Sequence, residues 1–453
     1  MKTKTRENPI TADARIDAPP YGEGDARRLT FPAGAYAVDL AQPQGVLART
    51  LLEPDPAFDP AFIEEELRNR AAGLGDRFYD MTGWALPFLF RVDAAWTGGT
   101  VSAVEPVREA PRATPEPPRR AGYAYAFAPG SEAALRMLGA LLTDGVRVRH
   151  APRPFTVGGR AFPDGAFLVL VHRNRGDDDA AGLHETVVRL ARETGTPVAA
   201  IDNALVDAGT DLGSNSVEAI PEAKVALAAG DAISSYSYGA AWYTFDKLLR
   251  LPVIRVELED LTRSLDEFNT VVIPSAYGLG SALGDAGTEA LRRWVRDGGT
   301  LITLDGATAW AASEDGLLRL REQDEPEDSA GAPLPVSVPG AILRARGDTL
   351  SPLLAGVRDR EIPVMLFGSR VYQAPDDVEP GEVVLRYADG DRLRLAGYVW
   401  PEVPARVAGA PYLWTESLGS GRVIAFTGDP NFRAMWRGLL PVFANAVLLG
   451  GTF

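Results

Sequence analysis

From residue 222 onward, short apolar runs alternate with amphipathic stretches. The segments KVALAA, PVIRVEL, TVVIPS and TLITLD are nearly continuous apolar runs of strand length. Parallel strands buried on both faces read this way. The pattern predicts strands at 225–229, 253–257, 271–274 and 301–304, with a further one at 423–427 in RVIAFTG. Between the first two, Trp242, Phe245 and Leu249 recur at helical spacing, which predicts a helix over 238–250. DAGTEALRRWVRDGG predicts a helix over 285–299, capped by Asp285 and ended by Gly298-Gly299. Strand alternating with helix is the pattern of a doubly wound α/β sheet. The acidic, Pro-rich stretch 322–340 interrupts it as a loop.

Upstream the pattern is more broken. Residues 1–27 are polar and rich in Pro, Gly and charge, and are predicted to be disordered. A hairpin-plus-helix region follows over 28–107. In it RLTFPAGAYAVDL (28–40) reads as a hairpin turning at Pro32–Gly34, and DPAFIEEELRNRAAG (59–73) as a helix between Asp59-Pro60 and Gly73. Residues 108–121 form a Pro-rich linker. A small α/β unit spans 122–221: strand YAYAF, a helix over 131–145 with Ser131 as N-cap, strand VRVRHA, and the hairpin FTVGGRAFPDGAFLVLV. FPAGAYAVDL and FPDGAFLVLV read as one hairpin used twice, the first without the strand–helix–strand that precedes the second. That asymmetry leads us to expect a larger architecture upstream.

Composition narrows the chemistry. Net charge is −15, and only four of 46 basic residues are Lys (Lys2, Lys4, Lys224, Lys247). Such a chain repels phosphate backbones, so nucleic acid is not expected as a partner. There is no Cys, which removes disulfides, thiolate nucleophiles and Cys-type metal sites together. No apolar run reaches membrane-spanning length, and the N-terminus has no apolar core of a signal peptide. The three histidines, His150, His172 and His184, all precede the large α/β unit, and LHETVVRL has neither HxxE nor HExxH spacing. GDDDAAG (176–182) lacks the ligand spacing of a calcium loop. No metal and no cofactor are expected in this chain.

Three constellations bear on function. Asp305-Gly306 stands where an apolar strand meets a helix, the layout that mounts nucleophiles in α/β hydrolases, but with a carboxylate at the tip. An Asp ester needs an activated water and usually a His base to turn over, and no His follows residue 184. GLGSALG (Gly278, Gly280, Gly284) followed by Asp305 resembles a dinucleotide loop, yet it is GxGxxxG, and Asp285 sits where a phosphate would be greeted. Tyr243 and Lys247 have the spacing of a dehydrogenase pair but precede the glycines and sit among core aromatics. Ligands of open α/β sheets lie at the carboxyl ends of strands. The candidate binding rim is therefore Ser235, Tyr236 and Tyr238, then Ser275 and Tyr277, then Asp305, closed by Asp429, Asn431 and Arg433 of GDPNFR.

The runs FIEEELRNRAAGLGDRFYDMTGWALPFLF, LVDAGTDLGSNSV, PVSVPGAILRAR, AGYVWPE and GRVIAFTGDPNFRAMWRG, together with FPAGAYAVDLAQPQGVLARTLLEPD, resemble the C-terminal half of large bacterial zinc-metallocarboxypeptidase-family proteins. The resemblance extends from about Arg28 to the end. It implies a flavodoxin-like, class I glutamine amidotransferase-like fold for 222–453, following a carboxypeptidase domain that would hold zinc. That domain and its ligands have no counterpart here, and Asp305-Gly306 replaces the Cys elbow of the amidotransferases. The resemblance thus implies a non-catalytic companion region with a carboxypeptidase domain or a peptide as partner, and export for the full-length proteins. A hydrolase or transferase using Asp305 is the alternative, and a nucleotide-binding oxidoreductase the third.

Overall fold

The computed structural model describes residues 7–9, 12–22, 24–74, 77–102, 104–107, 113–174, 180–327, 336–348, 351–357 and 360–453. Predicted features at 1–6, 108–112, 175–179 and 328–335 lie outside the described residues. The chain is of mixed α/β class.

Among the described residues a ten-stranded sheet organises the C-terminal half. Its strands include β1 (Val225–Ala229), β2 (Ile254–Glu257), β3 (Thr270–Ile273), β4 (Thr300–Leu304), β5 (Val338–Gly347), β6 (Glu361–Gly368), β7 (Val383–Tyr387), β8 (Pro411–Leu418) and β9 (Gly421–Phe426). They lie in the order β2-β1-β3-β4-β9-β8-β7-β5-β6. The first five are mutually parallel and the rest antiparallel. Every residue of β1, β3 and β4 is buried, which is why these strands are apolar without alternation.

Four helices position the strand ends: α1 (Ser235–Tyr243), α2 (Leu279–Arg296), α3 (Gly306–Ala311) and α4 (Leu440–Leu449). The helix expected over 238–250 begins earlier, capped by Ser234, and widens into a π-turn over Thr244–Leu249. Its buried stripe is Ala241, Phe245 and Leu248–Leu249, so Trp242 falls one residue off the seam and is 45% exposed. The helix expected over 285–299 starts at Leu279 and breaks at Gly284, where φ 62° and ψ 177° admit only glycine without strain. GLGSALG is therefore largely the first turns of a helix rather than an open phosphate loop.

The small unit holds an antiparallel sheet in the order Ala199–Ile201, Ala124–Phe127, Ala166–Leu170, Arg149–Ala151, Glu218–Ala219. Ser131 caps the helix Glu132–Thr143 by accepting the Ala134 N–H at 3.1 Å, as its sequence predicts. Phe155–Val157 and Arg160–Phe162 form a hairpin across Gly158-Gly159, both at positive φ. The FPDG turn does not continue it. Ala166–Leu170 pairs on both sides with other strands, leaving no edge for Arg160–Phe162.

The expected hairpin at 28–40 is also absent. Arg27–Phe31 pairs instead with Ala14–Ala18, and Tyr36–Val38 with Glu7–Pro9. Segments expected to be disordered thus supply both partners. Ala14, Ile16 and Ala18 alternate inward with exposed Arg15 and Asp17, a period of two too short to stand out among polar neighbours. The helix Pro60–Ala71 forms as predicted, with Asp59 accepting the Ala61 N–H at 2.9 Å.

One apolar core joins these parts: Phe127, Leu135 and Leu138 of the small unit are continuous with Phe245, Leu353 and Phe443. A Cβ on Gly139 would lie 1.8 Å from the Leu249 carbonyl oxygen, so the helices meet backbone to backbone. Thr82 docks the N-terminal region on β5 through its N–H and its hydroxyl, both donating to Gly340 O, and the hydroxyl also accepts the Tyr398 N–H at 2.8 Å. No described helix is long and apolar enough to cross a membrane.

Candidate functional site

Because β1, β3, β4 and β9 run parallel, their carboxyl ends open on one edge. Asp305 sits at the end of β4 with φ 46° and ψ −110°, a conformation non-glycine residues avoid at a cost of about 1–3 kcal/mol. The surroundings hold it there. Its N–H donates to Phe426 O at 2.9 Å, and its carbonyl accepts the Thr308 N–H at 2.8 Å. The next residue must be small, since a Cβ on Gly306 would lie 2.3 Å from Ala276 O.

A short polar chain supports the carboxylate. Ser275 Oγ donates to Asp305 Oδ2 at 2.7 Å and accepts the Gly306 N–H at 3.2 Å. The Ser275 N–H in turn donates to Ser237 Oγ at 3.0 Å, and the Ser237 hydroxyl bonds the Asp429 carboxylate. Asp429 Oδ1 also accepts the Asn431 N–H at 2.8 Å. Burial pushes the Asp429 carboxyl up to about 6, with the Asp305 charge adding to the rise and the two hydrogen bonds opposing it. On the other side Arg370 Nη1 lies 3.7 Å from Asp305 Oδ1, and its Nε 4.0 Å from Glu322 Oε1. Desolvation raises Glu322, and Arg370 and Arg406 offset it.

Three fully buried tyrosines, Tyr372, Tyr387 and Tyr412, feel the Asp305 charge, and burial raises each phenol. Tyr387 bonds Thr427. The Tyr372 and Tyr412 hydroxyls have no partner among the described residues, nor has the buried Asn431 Nδ2. The Tyr412 hydroxyl lies 3.6 Å from the Cβ position of Gly428, beside Asp429.

The predicted rim is partly assembled. Ser275, Asp305, Asp429 and Asn431 come together. Ser235, Tyr236 and Tyr238 lie on the first turn of α1, Tyr236 88% exposed and Tyr238 half-buried, while Tyr277 is 71% exposed. Arg433 departs from the expectation. Its guanidinium makes two bonds to Asp80, at 2.6 and 3.0 Å, and lies 5.5 Å from the Trp84 ring, so it ties the N-terminal region down instead of closing the rim. Sequence reasoning missed Ser237, Glu322, Arg370, Tyr372 and Tyr412. Ser237 lies three residues past the Ser234 cap, a spacing that could have marked it. Glu322 and Tyr372 meet only through a two-stranded pairing across some fifty residues.

Among the described residues no three His, Asp or Glu side chains are grouped to hold a metal. His150 is buried 3.3 Å from Glu218, burial holding its pKa down, and His184 Nδ1 lies 2.8 Å from the Tyr125 hydroxyl. His172 is on a separate 3-10 turn. Lys247 pairs with Asp246, on the π-turn that follows Tyr243.

No family model matches the chain, and no curated protein matches it. Solved structures similar to it include a β-galactosidase from Bacillus circulans sp. alkalophilus, at 16% identity over 64% of this chain and 36% of that one, with a TM-score of 0.31. A ThuA-like protein from Parabacteroides merdae ATCC 43184 is 12% identical over 51% of this chain and 90% of that one, at 0.32. A cytoplasmic protein from Salmonella typhimurium LT2 is 13% identical over 48% and 97%, at 0.31. The chain spans about a third of the galactosidase.

Proposed function

We propose that this chain is a non-catalytic binding module whose ligand seats over Asp305, serving as companion region to a zinc-carboxypeptidase domain. The companionship rests on the sequence resemblance. The seat rests on geometry. The parallel strands lie in the order 2-1-3-4-5 when numbered among themselves, which supports a flavodoxin-like, doubly wound, amidotransferase-like sheet with its site at the strand carboxyl ends. The observation that carries the reading is the Asp305 carboxylate itself, part-exposed at the carboxyl end of β4, held in a strained backbone conformation and faced by Ser275 and Arg370.

Binding is favoured over chemistry because Asp305 Oδ2 is engaged by Ser275 and Oδ1 faces Arg370, both of which draw charge from a nucleophile. No His lies within residues 222–453 to activate water. One observation favours the alternative hydrolase reading: Asp429, raised to about 6, could serve as general acid beside an Asp305 nucleophile. Turnover assays on peptide, ester and glycoside chromogens separate the two. The binding reading expects no turnover above background. Hydrolysis abolished by Asp305→Asn, in a variant that melts like the parent, would establish the hydrolase instead.

A further inference from the structure

We infer that the open face at one end of the large sheet is a docking surface for an acidic segment of a partner polypeptide, gripped by Arg344, Arg346, Arg386 and Arg392. The surface is independent of the Asp305 seat. Arg370, just past the end of β6, faces Asp305, whereas Glu361 begins that strand, so its eight residues set the two about 23 Å apart.

The surface arises where the sheet loses its cover. Residues 338–343 of β5 are buried on both faces, but from Arg344 onward burial alternates, Ala345 inward and Arg346 outward. On the flanking strands Ile362 and Leu385 point inward, and Glu361 and Arg386 outward. Register sets Arg346 directly opposite Arg386 on one side and Glu361 on the other. The Glu361 carboxylate accepts hydrogen bonds from Arg344 and, at 3.2 Å, from Arg392, and Arg346 Nε lies 3.6 Å away. Arg386 has no ion-pair partner among the described residues, and Asp389, two residues past β7, pairs with none of the four.

Three guanidiniums thus share one carboxylate and a fourth has none, in a chain of net charge −15. Like charges directly opposite on a sheet destabilise it. A carboxylate seated between Arg346 and Arg386 would replace that repulsion with charge-assisted hydrogen bonds. Glu361 already displays the arrangement, with guanidiniums converging on it from β5 and from the turn Gly390–Arg392.

Extent and charge favour a polypeptide over a nucleic acid. At the backbone, Arg346 lies about 5 Å from Arg386 across strands and about 7 Å from Arg344 along its own. Two or three carboxylates at alternate positions of an extended segment match those spacings. A nucleic acid carries its charges far past so small a patch, onto an acidic surface that repels them.

The test is fluorescence anisotropy of the full chain with fluorescein-labelled hexaglutamate at low salt. Hexaglutamate is expected to bind and to be released by added salt. Arg386→Gln should weaken binding about threefold and Arg346→Gln/Arg386→Gln about tenfold, a few-fold for each exposed pair. Arg386→Gln should melt no lower than the parent, since it removes one of two facing like charges. Arg263→Gln, on the helix Leu258–Ser264 at the opposite edge of the sheet, should leave binding unchanged, as should Asp305→Asn. Absence of hexaglutamate binding overturns the inference, as does binding unmoved by Arg386→Gln or equally weakened by Arg263→Gln. Labelled hexathymidylate binding more tightly than hexaglutamate, and lost in Arg386→Gln, would assign the surface to phosphates and overturn the acidic polypeptide.

Discussion

Tyr412 illustrates how one residue can be retained against stability. Its ring is fully buried and packs edge-on to Tyr387 at 5.8 Å, but its hydroxyl has no partner among the described residues. A buried polar atom left unbonded costs about 1–3 kcal/mol, whereas the ring's packing survives removal of the oxygen. Tyr412→Phe is therefore expected to stabilise the protein by about 1 kcal/mol in urea denaturation. Asp429 makes a second prediction at this scale. Its native pKa of about 6 lies above the ordinary 3.8, so between those values the folded state holds more protons than the unfolded one. Stability from this group is complete below the lower value and is lost as pH rises through the higher. The loss is of the order of 1–3 kcal/mol. Glu322, also raised, acts in the same sense. Parent minus Asp429→Asn, measured from pH 4 to 7, isolates the contribution. The variant should lose less stability over that interval, and parallel curves would refute the assignment.

At the scale of elements, two glycines are needed for different reasons, and alanine distinguishes them. Gly306 opens α3 against a neighbouring backbone, where a Cβ would lie 2.3 Å from Ala276 O and 3.1 Å from Ser275 Oγ. Gly284 breaks α2 in a conformation closed to other residues, but a Cβ there meets nothing within 4 Å. Gly306→Ala should cost about 1–3 kcal/mol by overpacking and should also displace Ser275 from Asp305, so binding falls with stability. Gly284→Ala should cost about 1–3 kcal/mol by backbone strain, with binding intact. Urea titrations paired with ligand titrations check both. The same scale shows why the π-turn misled a helical reading. It follows directly on α1, so one run of 15 residues carries two periods and its aromatics do not share a face.

For the whole molecule, the decisive fact is the continuous core. Side chains of the helix Glu132–Thr143, the π-turn and α4 pack in one apolar cluster, and β5 and the segment around Thr82 join it through Met81, Ala341 and Ile342. Units joined by so much buried apolar surface unfold together. Calorimetry should show a single transition for residues 122–453 within the full chain, with no earlier peak for the small unit. Two resolved peaks would show that the interface contributes less than its packing implies.

Much of the fold was legible in the sequence because its causes are local. Continuous apolar runs placed β1, β3 and β4 within a residue or so, since burial on both faces leaves no polar position to confuse the pattern. Ser131 and Asp59 marked helix starts because a cap acts within its own turn. The Asp305 elbow was visible for the same reason, as a carboxylate between a strand and a helix. What needed the tertiary structure was every choice between distant partners. Ala14–Ala18 and Arg27–Phe31 are ordinary polar strands until paired with each other. Arg433 reads as a site cation until Asp80 arrives from 353 positions away. Glu322, Arg370, Tyr372 and Tyr412 reach the Asp305 site only because strand pairing carries them there. Backbone conformation and capping are set by neighbours in the chain, whereas the company a side chain keeps is set by which surfaces the fold buries against each other.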